Sequence, residues 1–179
     1  LMAQSEARPD GEVVWAGRSW RLRVRRLTQP DGSQVEKGYI EHPGAVVLVP
    51  YQDDGAVLML RQYRATLGQS ILELPAGTRG WQEEWLACAQ RELREETGFR
   101  AATLAPLGDV WAAPGYSDEV MRFYLATGLQ ADPLPADADE DITLAPLPLA
   151  ELQAMARDGR LQDAKSIVGI LRAAAHLGL

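Results

Sequence analysis

Gly77, Glu83, Arg91, Glu92, Glu95, Glu96 and Gly98 fall within one run, GTRGWQEEWLACAQRELREETGF, and their types and spacing suit chemistry on a charged substrate. From Glu83 onward Leu86, Ala89 and Leu93 recur at helical spacing, and Gly98 stands where a left-handed cap is expected, so the spacing predicts a helix ending near Thr97. At about 100° per residue, Glu92, Glu95 and Glu96 share one arc beside the apolar stripe. Like charges at these spacings each cost about 0.2–0.5 kcal/mol, and acids in a last helical turn oppose the negative end of the helix dipole. Stability alone does not gather them there. A divalent cation removes the conflict, because Mg²⁺ takes hard oxygen ligands, commonly one or two carboxylates with waters and substrate phosphates.

Taken alone, RELREE reads as a solvated helix face in which Arg91 and Glu95 form an i,i+4 pair. Gly77 and Glu83 in register with it change that reading. The whole pattern resembles the Nudix box: Gly, five residues, Glu, seven residues, Arg-Glu, an aliphatic, one residue, Glu-Glu, one residue, Gly and an apolar residue. The resemblance implies that Glu92 and Glu96 are the main metal ligands, with Glu95 a third or water-mediated one, and that the metal is Mg²⁺ or Mn²⁺. It also implies that Arg91 pairs with Glu83 and holds the loop against the helix.

ELPAG, Glu73 to Gly77, resembles the approach to the box in members that act on nucleoside-diphosphate sugars. There the carbonyl before the first glycine, here that of Ala76, is a metal ligand, while Pro75 and Gly77 also shape a turn. Pro114, fifteen residues after Phe99, and RQYR at Arg61 to Arg64 resemble the ADP-ribose pyrophosphatase branch. The substrate contacts expected from that branch are Arg64, Glu73, Pro114 and Trp20. Arg64 is suited to phosphate, since a guanidinium matches it with two parallel hydrogen bonds. Trp20 resembles an N-terminal aromatic that stacks on adenine in dimers with exchanged strands, with Trp15, Tyr39 and Trp81 as competitors. Glu140, before the strand at Ile142, matches a late-loop glutamate that binds metal or activates water; Glu95 and Glu83 are the other candidate bases. The histidines, His42 and His176, offer no pair for general base work. One departure from the family is Gln82, where related chains place a glycine before the first box glutamate, with Trp81 and Trp85 around it.

These residues need a scaffold, and a chain of 179 residues is the size of one domain with a full core. Strands are expected at Val13 to Ala16, Trp20 to Leu27 and Val35 to Ile40, separated by turn-rich runs. Ala45 to Pro50 and Val57 to Arg64 are expected to form the central sheet, after which a loop delivers ELPAG. Further strands are expected at Leu107 to Trp111, Val120 to Ala126 and Ile142 to Leu144, and helices at Leu149 to Arg157 and Ala164 to Leu177. The fold class is α/β; the resemblance implies the Nudix fold, an α/β/α sandwich with a mixed sheet, over residues 43–179. Residues 1–42 are expected to form a small antiparallel arm at a homodimer interface.

The net charge of −7 disfavours nucleic-acid and anionic-membrane partners. No apolar run reaches the roughly 20 residues of a membrane helix. Cys88, the single cysteine, sits among alanines and is expected to pack, which suits a reducing cytoplasm. The expectation is a Mg²⁺-dependent hydrolase splitting the small-molecule substrate ADP-ribose into AMP and ribose 5-phosphate. Its rivals are the same chemistry on GDP-mannose, another sugar nucleotide, NADH or FAD, and a non-catalytic ADP-ribose sensor.

Overall fold

A computed structural model describes residues 11–135 and 141–179. The first strands, β1 (Glu12–Ala16), β2 (Arg21–Thr28) and β3 (Gln34–Glu41), form an antiparallel sheet of their own. Then follow β4 (Ala45–Pro50), β5 (Ala56–Arg64), β6 (Gln69–Glu73) and β7 (Ala76–Thr78), helix α1 (Trp85–Thr97), β8 (Phe99–Trp111), β9 (Val120–Ala131), β10 (Ile142–Pro148), α2 (Leu149–Asp158) and α3 (Ala164–Leu177).

The sequence AVVLVP makes β4 apolar on both faces, and every one of its residues is buried. It lies inside a mixed sheet of order β7-β4-β9-β8, parallel to β9 and antiparallel to β7. Val46 and Leu48 pack with Cys88, Ala89 and Leu93 of α1. Val47 and Val49 face the other way, into a core with Ile170, Ala173 and Ala174 of α3. Each fully buried aliphatic side chain contributes about 1.5–3 kcal/mol, so packing easily outweighs the few tenths lost to carboxylate repulsion along α1. The helix ends as expected, at Gly98 with φ 78°, whose N–H donates to the Arg94 carbonyl.

Four local expectations are corrected. β4 and β5 do not share a sheet, because β5 pairs with β6 and β10 in a separate three-stranded sheet. ELPAG is not delivered by a loop: its Glu73 ends β6, and its Ala76 and Gly77 open β7. β8 begins at Phe99, eight residues ahead of Leu107, and carries a bulge between Pro106 and Gly108. Leu86 is exposed, because at the start of α1 the inward contact belongs to Trp85, whose ring fills the space beside Gly44.

Candidate active site

β7 is held at the edge of the four-stranded sheet by β4, in the register Val46 to Gly77 and Val47 to Ala76. This sets Gly77 beneath α1. A Cβ built on Gly77 would lie 1.9 Å from the Glu92 carboxyl carbon, so the glycine is required for space, not for a positive φ. The Glu92 carboxylate thus rests directly on the backbone of β7. One turn later, Glu96 Oε2 accepts the Ala76 N–H at 2.8 Å. Both glutamates are buried, although neither belongs to the apolar set.

Arg91 gathers the remaining acids. Its Nε and Nη2 donate to the two oxygens of Glu83 at 2.8 and 2.9 Å. Its Nη1 donates to Glu92 at 2.7 Å and to Glu95 at 2.8 Å. Glu83 also accepts the Gly80 N–H at 2.8 Å, which closes the loop ahead of α1. The Arg91 hydrogen bonds hold the Glu83 carboxyl down at about 2, and burial works against them without prevailing. The same bonds raise Arg91 further above its ordinary value. Burial, with the charges of Glu83 and Glu92, pushes the Cys88 thiol up to about 12, and the side chain packs in the core beside Val46 and Leu48.

The box borders a cleft of about 850 Å³, whose other walls include the end of β5 with the turn after it, and Arg18-Ser19 from the turn between β1 and β2. Arg64 lines this cleft while pairing in a fork with Glu73, at 2.8 and 2.7 Å. Glu73 is buried beneath it and does not line the cleft. Trp20 stacks on Trp15, ring centroids 4.5 Å apart, and is absent from the cleft lining. Trp81 does line it, with the Arg21 guanidinium 4.2 Å from its ring centre. Pro114 is exposed outside the cleft, and Glu140 lies outside the described residues.

Sequence reasoning missed three basic residues. Arg18 reaches the cleft from the N-terminal sheet. Arg79 bonds the Pro43 and Glu83 carbonyls and stacks on Trp85, which fixes the box loop. Lys165 reaches Glu73 from α3. Only Arg79, two residues after the first box glycine, lies near enough in sequence for a local signal to have flagged it.

Among the described residues, no three His, Cys, Asp or Glu side chains converge closely enough to enclose a cation as they stand, since Arg91 holds most of the box acids. The groups that could hold one, Glu92, Glu95, Glu96 and the Ala76 carbonyl, would offer only oxygen, the chemistry that a hard divalent cation takes.

The NUDIX domain family model matches residues 41–167, and the chain belongs to the Nudix hydrolase family. It is 39% identical over 163 residues to an ADP-ribose pyrophosphatase of Mycobacterium tuberculosis, covering 89% of this chain and 79% of that one. It is 32% identical over 161 residues to a methanol dehydrogenase activator of Bacillus methanolicus, covering 89% and 87%. A solved structure described as an ADP compounds hydrolase superposes with a TM-score of 0.81 at 24% identity, over 94% of this chain and 92% of the other, and shares the fold.

Proposed function

We propose that this chain hydrolyses the diphosphate bond of ADP-ribose, giving AMP and ribose 5-phosphate, with Mg²⁺ or Mn²⁺ as cofactor. The observation that carries the reading is the cradle at β7, where Gly77 makes room for Glu92 and the Ala76 N–H fixes Glu96. A structural helix has no need to bury two acids against a strand edge. Glu92, Glu96, the Ala76 carbonyl and Glu95 are the metal ligands in this reading. A divalent cation held there would supply charge neutralisation of the diphosphate, polarisation of its oxygens and a more acidic water.

The protein's own groups do the rest. Arg64 binds a phosphate oxygen through the guanidinium edge turned away from Glu73. Arg91 orients Glu83 and Glu95, and one of Glu140, Glu95 and Glu83 takes the proton from the attacking water. The substrate assignment draws on the relative named for ADP-ribose hydrolysis, the more identical of the two. Incubating the protein with Mg²⁺ and a panel of ADP-ribose, GDP-mannose, NADH and FAD, with products separated, tests it. AMP and ribose 5-phosphate formed fastest from ADP-ribose is the expected result, and a clear preference for another dinucleotide or sugar nucleotide overturns it.

Two further parts of the reading have their own tests. Glu140→Gln is expected to lower kcat by about 10²–10⁴-fold, as for a lost general base, with KM changed much less; a raised KM at constant kcat assigns Glu140 to binding. Val13, Val14, Trp15, Trp20 and Leu22 leave an exposed apolar patch on β1, β2 and the turn between them, and β1 is a sheet edge. Such patches and edges mark association surfaces, so we assign this face to a homodimer. Light scattering at micromolar protein should return twice the chain mass, and a monomer mass removes the assignment.

A further inference from the structure

Glu73 is 1% exposed, yet its carboxylate meets two cations. Arg64 presents its Nε and Nη2 edge, and Lys165 Nζ, from the first turn of α3, donates to the same Oε2 that Nη2 uses. Lys165 also reaches Asp163 Oδ2 at 3.0 Å. Asp163 caps α3 by accepting the Ser166 N–H at 3.1 Å, and Ser166 Oγ accepts the Leu74 N–H at 2.7 Å. One turn further on, a Cβ on Gly169 would sit 2.5 Å from Leu74 Cδ1, so α3 presses directly on this segment. The start of α3 is therefore bonded to two consecutive residues of ELPAG, 92 positions away in the chain.

The arrangement has an electrostatic consequence at the cleft. A fork to Glu73 uses one N–H on Nε and one on Nη2, leaving both N–H groups of Nη1 and one of Nη2 for an anion. If Arg64 were the sole partner of Glu73, the pair would be neutral, and any anion drawn to Arg64 would compete with a buried carboxylate. A buried charge stripped of its partner is strongly unfavourable. With Lys165 on Oε2, Glu73 keeps a cationic partner when an anion draws on Arg64, and Asp163 on the same Nζ brings the four charges into balance.

We infer that Lys165 is a positioning residue for the substrate diphosphate, acting through Glu73, which it keeps partnered, to fix Arg64 at the cleft. The inference rests on the reading of Arg64 as a phosphate contact. It accounts for a helix N-terminus being tied to the strand that precedes the box, a tie that core packing by Gly169 and Leu74 alone does not require.

Steady-state kinetics of the full chain with ADP-ribose and Mg²⁺, alongside thermal melting of each variant, test it. Lys165→Met should raise KM on the order of tenfold, the size of one charge-assisted contact, with kcat held within about threefold. Lys165→Arg should recover most of the loss, and in a Glu73→Gln background Lys165→Met should add nothing further. If the Met variant does not fold, Lys165→Gln carries the same comparison. Calorimetric binding of inorganic diphosphate reads the same contact without turnover, so a wrong choice of substrate leaves the test standing. An Arg64→Ala variant with unchanged KM and diphosphate affinity moves the phosphate contact elsewhere, and the inference falls with it. If Arg64→Ala weakens both while Lys165→Met lowers only the melting temperature, Lys165 merely stabilises the fold and the inference is overturned on its own.

Discussion

On the box side of the cleft a single guanidinium, Arg91, serves three carboxylates, whereas on the β5 side a single carboxylate, Glu73, serves two cations. Both clusters use the same fork geometry, and the Glu83 to Arg91 pair is close to a mirror of the Arg64 to Glu73 pair. What differs is the remainder. The box keeps an excess of negative charge, with Glu96 added nearby, and suits a cation. The β5 side is balanced, because Asp163 shares Lys165, and there the Arg64 guanidinium lines the cleft and suits an anion. An acidic protein can thus hold an anionic substrate, because at contact distances a well-placed guanidinium counts for more than the net charge of −7, which salt screens beyond about 8–10 Å.

The strongest way to break this contrast is to remove the negative surplus. Glu92→Gln and Glu96→Gln are each expected to remove most Mg²⁺-dependent turnover. The loss should exceed the roughly 10–100-fold seen when a partner behind a metal ligand is removed. The melting temperature should hold or rise slightly, since each change deletes one of several repelling charges. Near-normal turnover in both would detach the box acids from metal binding.

A smaller change sharpens the contrast by displacing a charge without deleting it. Gly77→Ala places a Cβ where the Glu92 carboxyl now lies. Overpacking of this kind costs about 1–3 kcal/mol, measurable by urea denaturation, and activity should fall with it. Adding Glu92→Ala to that variant should return the stability but not the activity. A fully stable and active Gly77→Ala protein would mean that Glu92 does not need its seat on β7.

The smallest effect concerns acid. The Glu83 carboxyl lies at about 2 when folded, against an ordinary 4.5. A group depressed in this way contributes stability above its unfolded value and loses it as pH falls through the folded one. Urea melts between pH 5 and pH 2 should therefore show the parent losing more stability than Glu83→Gln across about pH 4.5 to 2. Parallel curves would indicate that Arg91 draws its hold from Glu92 and Glu95 instead.

The box and its helix were legible because their signals are local. Spacing alone placed the end of α1 at Thr97 and the cap at Gly98, and the apolar run placed β4 at its observed bounds. The pairing of that strand was not legible, because its parallel neighbour β9 lies more than 70 residues on and any apolar strand could have filled the place. The first half of β8 was not legible in the sequence, where Pro106 looks like a strand breaker; at the free edge of a sheet, beside a bulge, it is tolerated. Trp20 resembled a ligand contact, yet within one chain its neighbour is Trp15. Lys165 left no mark, since nothing near KSIVGIL indicates a carboxylate contributed from 92 residues earlier.

β4 carries one further consequence. Its alternate residues belong to different cores, so neither α1 nor α3 can lift away without exposing a face of the same strand. The amides of Val46 to Val49 have no partial opening that frees them, and they should exchange with solvent deuterium only when the whole domain unfolds. The seat of Glu92 hangs from that strand through β7. The position of the Glu92 carboxylate is thereby referred to the molecule's slowest clock.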